Sequence, residues 1–140
     1  MNWYKLAQTK TEFPFDLDDI WKQINNLSIN DAPSMSKSKS EPKKIGIVND
    51  TNNDIEVFLV NGDEIEKKHS MDFVVGGNDG SDPEFIPEKQ IWVDYNMSTD
   101  VIPHIIYHEF IELYLMKHKD MSYEAAHDIA NKYEKKRITV

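Results

Sequence analysis

"YHEFIELYLMKHKDMSYEAAHDIANKYE", residues 107–134, decides how this chain is read, because it sets His108, Glu109 and Glu112 inside an otherwise apolar run. The helix holding its first half is expected to begin between Ser98 and Pro103 and to run to about Lys117. Ser and Asp favour the cap, and Pro is tolerated in the first turn. Ile102, Ile106, Phe110 and Leu113 make one stripe at helical spacing, and Ile105, Ile111, Tyr114, Leu115 and Met116 fill most of the remaining surface. A helix apolar on nearly every side is normally buried. Burying an unpaired carboxylate costs several kcal/mol, so the three ionisable groups need partners, altered protonation or a metal.

The spacing favours a metal. His108 and Glu112 stand at i and i+4, on one helical face about one turn apart, and Glu109 lies beside the first of them, placed to hold a water. This is the His-Glu-x-x-His helix of zinc proteases with Glu in place of the second His. A third ligand must come from elsewhere. His118 follows His108 at the interval of the longer His-Glu-x-x-His-x-x-Gly-x-x-His motif, but Leu115 stands where that motif has the Gly that turns the chain. His104 lies one turn before His108 and only lengthens a line of ligands. His127 offers convergence from a second element. "MSYEAAH" (121–127) reads as a helix start with Ser122 as N-cap, and Ala125, Ala126 and Ala130 allow close approach to a neighbour. If the chain folds back through Lys119 and Asp120, Glu112 and His127 stand level, each about 11 Å from the turn at about 1.5 Å per residue. Glu134, two turns past His127, lies near the level of His108, as an outer partner of a ligand histidine or a fourth ligand. Any one of these residues has an ordinary reading as a hydrogen-bonded core histidine or a solvated Glu-x-x-Glu pair. Ligand-type groups at i, i+1, i+4 and i+19 together point to a metal site.

The stretch "PEFIPEKQIWVDYNMSTDVIPHIIYHEFIELYLMKHKDMSYEAAHDIANKYE", residues 83–134, resembles small metallopeptidase-like domains found in phages and mobile elements. The shared pattern is Phe-Ile-Pro, a strand with Trp and Asp, His-Glu-x-x-Glu, then Tyr-x-x-Ala-His-x-x-Ala-x-x-x-Glu. The resemblance covers roughly residues 71–137. It implies a zincin-like fold, with His108, Glu112 and His127 as metal ligands and Glu109 as general base, and it implies no particular substrate. Two histidines and one glutamate are a known zinc ligand set that leaves a position for water, so Zn2+ is the expected cofactor. A further carboxylate from Glu134 or Asp94 would harden the site toward Mn2+ or Fe2+. Tyr123, one turn before His127, and His104, one turn before His108, are candidate substrate or oxyanion contacts, with hairpin packing the simpler role for Tyr123.

Working outward, "KKIGIVND", "DIEVFLV" and "EIEKKHS" read as strands, with "NGD" at Asn61–Asp63 as the turn between the second and third. "MDFVV" and "KQIWVDY" make about five strands before the long helix, and residues 76–87 form a loop between the last two, read as a solvated connection that could rim the cleft. The expected class is α+β and zincin-like: a small, mostly antiparallel sheet, then the active-site helix and an antiparallel C-terminal helix. "IWVDYN" is placed to be the edge that pairs with an extended substrate. Residues 1–30 read as an N-terminal amphipathic arm with Leu17, Ile20, Trp21, Ile24 and Leu27 on one side of a short helix. Residues 31–44 read as a flexible linker and 45–140 as the metal-binding domain. The arm holds no histidine and is expected to contact its own cleft, a partner protein or a second copy.

Composition bounds the chemistry. The 140 residues include no cysteine, which removes disulfides, a thiol nucleophile and a cysteine zinc cluster. No stretch has the length of a membrane span, and "MNWYKLAQTK" lacks the apolar core of a signal peptide, so a cytoplasmic location is expected. The chain's net charge is −9, and residues 45–112, with fifteen acidic and three basic residues, hold a balance of −12. Such a field disfavours nucleic acid and suits a peptide or protein substrate, cationic ones best. The expected function is zinc-dependent peptide-bond hydrolysis. The alternatives are a metal site that only braces the fold and an interaction module with a degenerate zincin core.

Overall fold

The computed structural model describes residues 13–29, 42–63, 65, 76–81 and 85–138. Helix α1 spans Leu17–Asn25, strands β1 Lys43–Asn49, β2 Asp54–Val60, β3 Gly76–Asn78 and β4 Gln90–Asp94, and helices α2 Ile102–His118 and α3 Tyr123–Ile138. The class is α+β. The expected linker ends early, since Lys43 and Lys44 already pair with Leu59 and Phe58 in the sheet.

The sheet is mixed, in the order β1-β2-β4-β3, and this corrects the mostly antiparallel expectation. β1 and β2 form an antiparallel hairpin, but β2 and β4 run parallel, with Val57 opposite Ile91 and Leu59 opposite Val93. The physical reason is the long excursion through residues 61–89, which returns the chain to the starting end of β2, as a parallel pair requires. After β2 the chain enters a helical turn, closed by the Ile65 N–H donating to the Asn61 carbonyl at 3.0 Å, where a hairpin turn was expected. "MDFVV" and most of "EIEKKHS" lie outside the described residues. Gly76–Asn78, expected as loop, is a strand paired antiparallel to β4. β4 therefore lies between β2 and β3, so "IWVDYN" is interior, and β1 and β3 are the outer strands among the described residues.

β1, β2 and β4 send Ile45, Val48, Val57, Leu59, Ile91 and Val93 into one core with α2. α1 shares that core. Asp16 caps it by accepting from the Asp18 N–H at 2.9 Å, Ile20 and Ile24 are fully buried, and Asp18 and Asp19 face solvent. Gln23 exchanges two hydrogen bonds with the backbone of Asn49, at 2.7 and 2.9 Å, and Gly46, at φ 148°, leaves room for Leu27 to lie on β1. Phe13 and Phe15 continue the contact onto Tyr114, Tyr133 and Phe110. Ile24→Ala should cost about 2–5 kcal/mol in a denaturant melt, because its cavity would be shared between two packed elements that cannot both collapse into it. Among the described residues no helix is long and apolar enough to cross a membrane.

Candidate metal centre

α2 and α3 form the expected hairpin. Asp120 takes a left-handed conformation at φ 55°, and the Met121 N–H donates to the Leu115 carbonyl at 3.2 Å. Ser122 caps α3 by accepting from the Ala125 N–H at 3.2 Å. Ala126 and Ala130 are fully buried, and with no bulk beyond Cβ they let the two helices approach closely enough for side chains to meet across the seam.

At that seam His108 Nε2, Glu112 Oε2 and His127 Nδ1 form a triangle with edges of 3.1, 2.9 and 3.2 Å. These residues form a group able to hold a metal ion. Four-coordinate zinc at 2.0–2.1 Å from its ligands needs donor atoms about 3.3 Å apart, so the donor set fits. The hydrogen-bond chemistry supports the same conclusion. His108 Nδ1 donates to Glu134 Oε1 at 2.9 Å, so a neutral His108 turns the lone pair of Nε2 toward the Glu112 carboxylate. Two acceptors at that distance require a proton or a cation between them.

Burial opposes a charge on His108, but hydrogen bonds to Glu112 and Glu134 and the charge of Glu109 outweigh it, pushing the imidazole pKa up to about 10. The same field attracts a divalent cation. In metal-free protein the protonated ring stabilises the fold. Because the folded pKa lies above the ordinary value of 6.5, that stabilisation is complete below pH 6.5 and is lost as pH rises through about 10. The melting temperature of chelator-treated protein should therefore fall between pH 7 and 10. Zinc affinity should rise over the same interval, since binding displaces that proton. Paired melts and calorimetric titrations across this range would check both slopes, and a metal-free melt that rose with pH would refute the assignment.

Sequence reasoning missed Asn78. It is completely buried at the end of β3, and its Nδ2 donates to Glu109 Oε1 at 2.8 Å and to Glu112 Oε1 at 3.2 Å. Its Oδ1 accepts from the Gly80 and Ser81 N–H groups at 2.8 and 2.9 Å, which fixes the amide so that its hydrogens face the carboxylates. "NDGS" carries an Asx-turn signal, but nothing local says that the turn closes over α2. Gly76 is part of the reason it does: a Cβ there would collide with Ile105 and the Trp92 carbonyl, so glycine lets β3 lie against the helix.

The remaining candidates are placed as follows. Glu109 is buried beside Asn78 and adjacent in sequence to His108, and Glu134 accepts a hydrogen bond from His108 on the far side of the triangle. Tyr123 lies flat against the His127 ring, centroids 5.4 Å apart, a packing contact that orients the imidazole. His104 packs on Trp21 of α1, and His118 stacks on Tyr114, so neither joins the triangle. Asp94 is corrected as a source of a harder ligand: its Oδ1 accepts from Gly62 and Asn96 N–H groups and closes turns at the end of β4. Compared with protein-family models, curated proteins and solved structures, the chain matches none.

Proposed function

We propose that this chain is a zinc-dependent amide hydrolase of zincin type, acting on a peptide, with His108, Glu112 and His127 as ligands and Glu109 as general base. The observation that supports it is the convergence of three buried or half-buried ligand atoms with a further carboxylate, Glu109, one residue from a ligand. Formal charge agrees. Glu109, Glu112 and Glu134 bring three negative charges to two imidazoles, and a divalent cation offsets most of that. A zinc ion held there would supply Lewis acidity to a carbonyl oxygen and acidify water toward neutrality.

The chain's own groups divide the rest. Glu134 holds His108 in the tautomer that presents Nε2, the outer role that raises ligand basicity. Asn78 donates to one oxygen each of Glu109 and Glu112, which holds the base and the ligand carboxylate apart and in register. Glu109 takes the proton of the attacking water and returns it to the leaving nitrogen. An extended substrate would pair with β3, the outer strand beside α2, and not with β4. Two imidazoles and a carboxylate also suit Fe2+, and zinc is the proposed ion because it binds such nitrogen and oxygen donors more tightly than Mn2+ or Fe2+.

A purely structural metal is the competing reading, because the three ligands tie α2 to α3 and would brace the hairpin. A peptide library incubated with zinc-loaded protein and read by mass spectrometry separates the two. Hydrolysis is the expected result, and a folded, zinc-loaded protein that cleaves no member of the library would favour the structural role.

A further inference from the structure

Glu134 and Arg137 stand one turn apart on α3, and they hold two consecutive residues of α2. Glu134 Oε1 accepts from His108 Nδ1 at 2.9 Å, and the Arg137 guanidinium donates to the hydroxyl of Tyr107, a residue 1 % exposed. The guanidinium carbon lies 5.1 Å from the centroid of the Tyr107 ring and 5.5 Å from that of Trp21, so the cation rests against one ring of α2 and one of α1. Those two rings meet edge to face at 5.4 Å. Arg137 Nη2 also donates to Asp18 Oδ1 at 2.7 Å, which adds the first turn of α1 to the cluster.

The ion pair is the weak part of this cluster. The Asp18 side chain is 76 % exposed, and a solvent-screened pair contributes little. Arg137 itself is 23 % exposed, and a cation on an aromatic face gains strength as water is removed. The buried Tyr107 hydroxyl is costly to leave without a partner. A planar guanidinium serves rings, phenol and carboxylate together, which a compact ammonium cannot. The position of this cluster matters because the metal centre draws on two helices, with His108 and Glu112 on α2 and His127 on α3. Ala126 and Ala130 set how closely those helices approach. The Arg137 cluster, anchored on Tyr107 and α1, sets where the end of α3 lies along α2.

We propose that Arg137 is a positioning residue of the metal centre, a role that rests on the reading of this seam as a metal site. Held by Tyr107, Trp21 and Asp18, it fixes the last turns of α3 so that Glu134 bonds His108 Nδ1, and it thereby couples the docking of α1 to metal affinity. Such coupling is reciprocal: what docked α1 adds to zinc binding, bound zinc adds to the docking of α1. The N-terminal helix then regulates the centre without supplying a ligand.

The test is zinc titration of the full chain, of Arg137→Gln, of Glu134→Gln and of the double variant, each with a thermal melt of the metal-free form. Glu134→Gln should weaken zinc by about 10–100-fold. Arg137→Gln should weaken it by about 3–10-fold in the parent but by less than about twofold in the Glu134→Gln background, because it acts through that carboxylate. A residue that only stabilised the fold would lower the melt and change affinity by the same factor in both backgrounds. In metal-free parent protein the proton that His108 Nδ1 donates to Glu134 should give a sharp imidazole N–H signal by NMR, and Arg137→Gln should broaden it by exchange with water. If Arg137→Gln does not fold, Arg137→Lys carries the same comparison, since it keeps the charge for Asp18 and loses the flat contact with the rings. Parental zinc affinity in the Arg137 variant, or equal losses in the two backgrounds, would overturn the proposal and leave the metal centre standing. A parent chain that takes up no zinc would overturn both.

Discussion

Glu112→Ala is expected to reduce bound zinc from one ion per chain to none. The Oε2 of Glu112 lies 3.1 Å from His108 Nε2 and 2.9 Å from His127 Nδ1, and the side chain is 2 % exposed. Removing it takes away the only anionic member of the triangle and leaves two imidazoles facing one another. His127→Ala and His108→Ala should have the same result, because two remaining donors cannot hold the ion against solvent and buffer. Glu134→Gln should weaken binding by about 10–100-fold without abolishing it, the usual effect of losing an outer partner of a ligand histidine. His118→Ala should change nothing, since that ring stacks on Tyr114 away from the centre. Elemental analysis and zinc titration of the purified variants measure all of this. Full stoichiometry in His127→Ala with loss in His118→Ala would show the ligand set to be wrong.

Glu109→Gln carries the second large effect. Gln keeps a carbonyl oxygen for the Asn78 Nδ2 that now donates to Glu109 at 2.8 Å, so the fold and the metal content should be retained. What it loses is the proton acceptor, and any peptide hydrolysis found for the parent should fall by about 10²–10⁴-fold. The effect should appear in kcat and leave zinc affinity within error of the parent. A variant that cleaves at the parental rate would remove Glu109 from the base role. A variant that loses zinc would make it a ligand.

The site's legibility followed chain distance. His108, Glu109 and Glu112 could be read from helical spacing, and His127 and Glu134 followed once the turn at Lys119 and Asp120 and the Ser122 cap were recognised, because short-range steric and capping rules fix each of these steps. The alanines at 126 and 130 further told that the second helix packs closely. Asn78 was not legible. It reaches Glu109 and Glu112 from 31 and 34 residues away, and its local signal specifies a turn without saying what the turn covers.

By itself the sequence determined the α+β class, the two C-terminal helices, the α1 stripe, and a metal-type donor set on one helical seam. Each depends on interactions within a few residues or on a hydrophobic period. Only the tertiary structure decided that β4 runs parallel to β2 inside the sheet, that the glycine-rich 76–78 segment is the outer strand against α2, and that Asp94 serves turns while Asn78 serves the site. Strand order and long-range hydrogen bonds are set by which of several crossovers buries the most apolar surface while satisfying every buried polar group. That sum runs over the whole core, and no local stretch of chain encodes it.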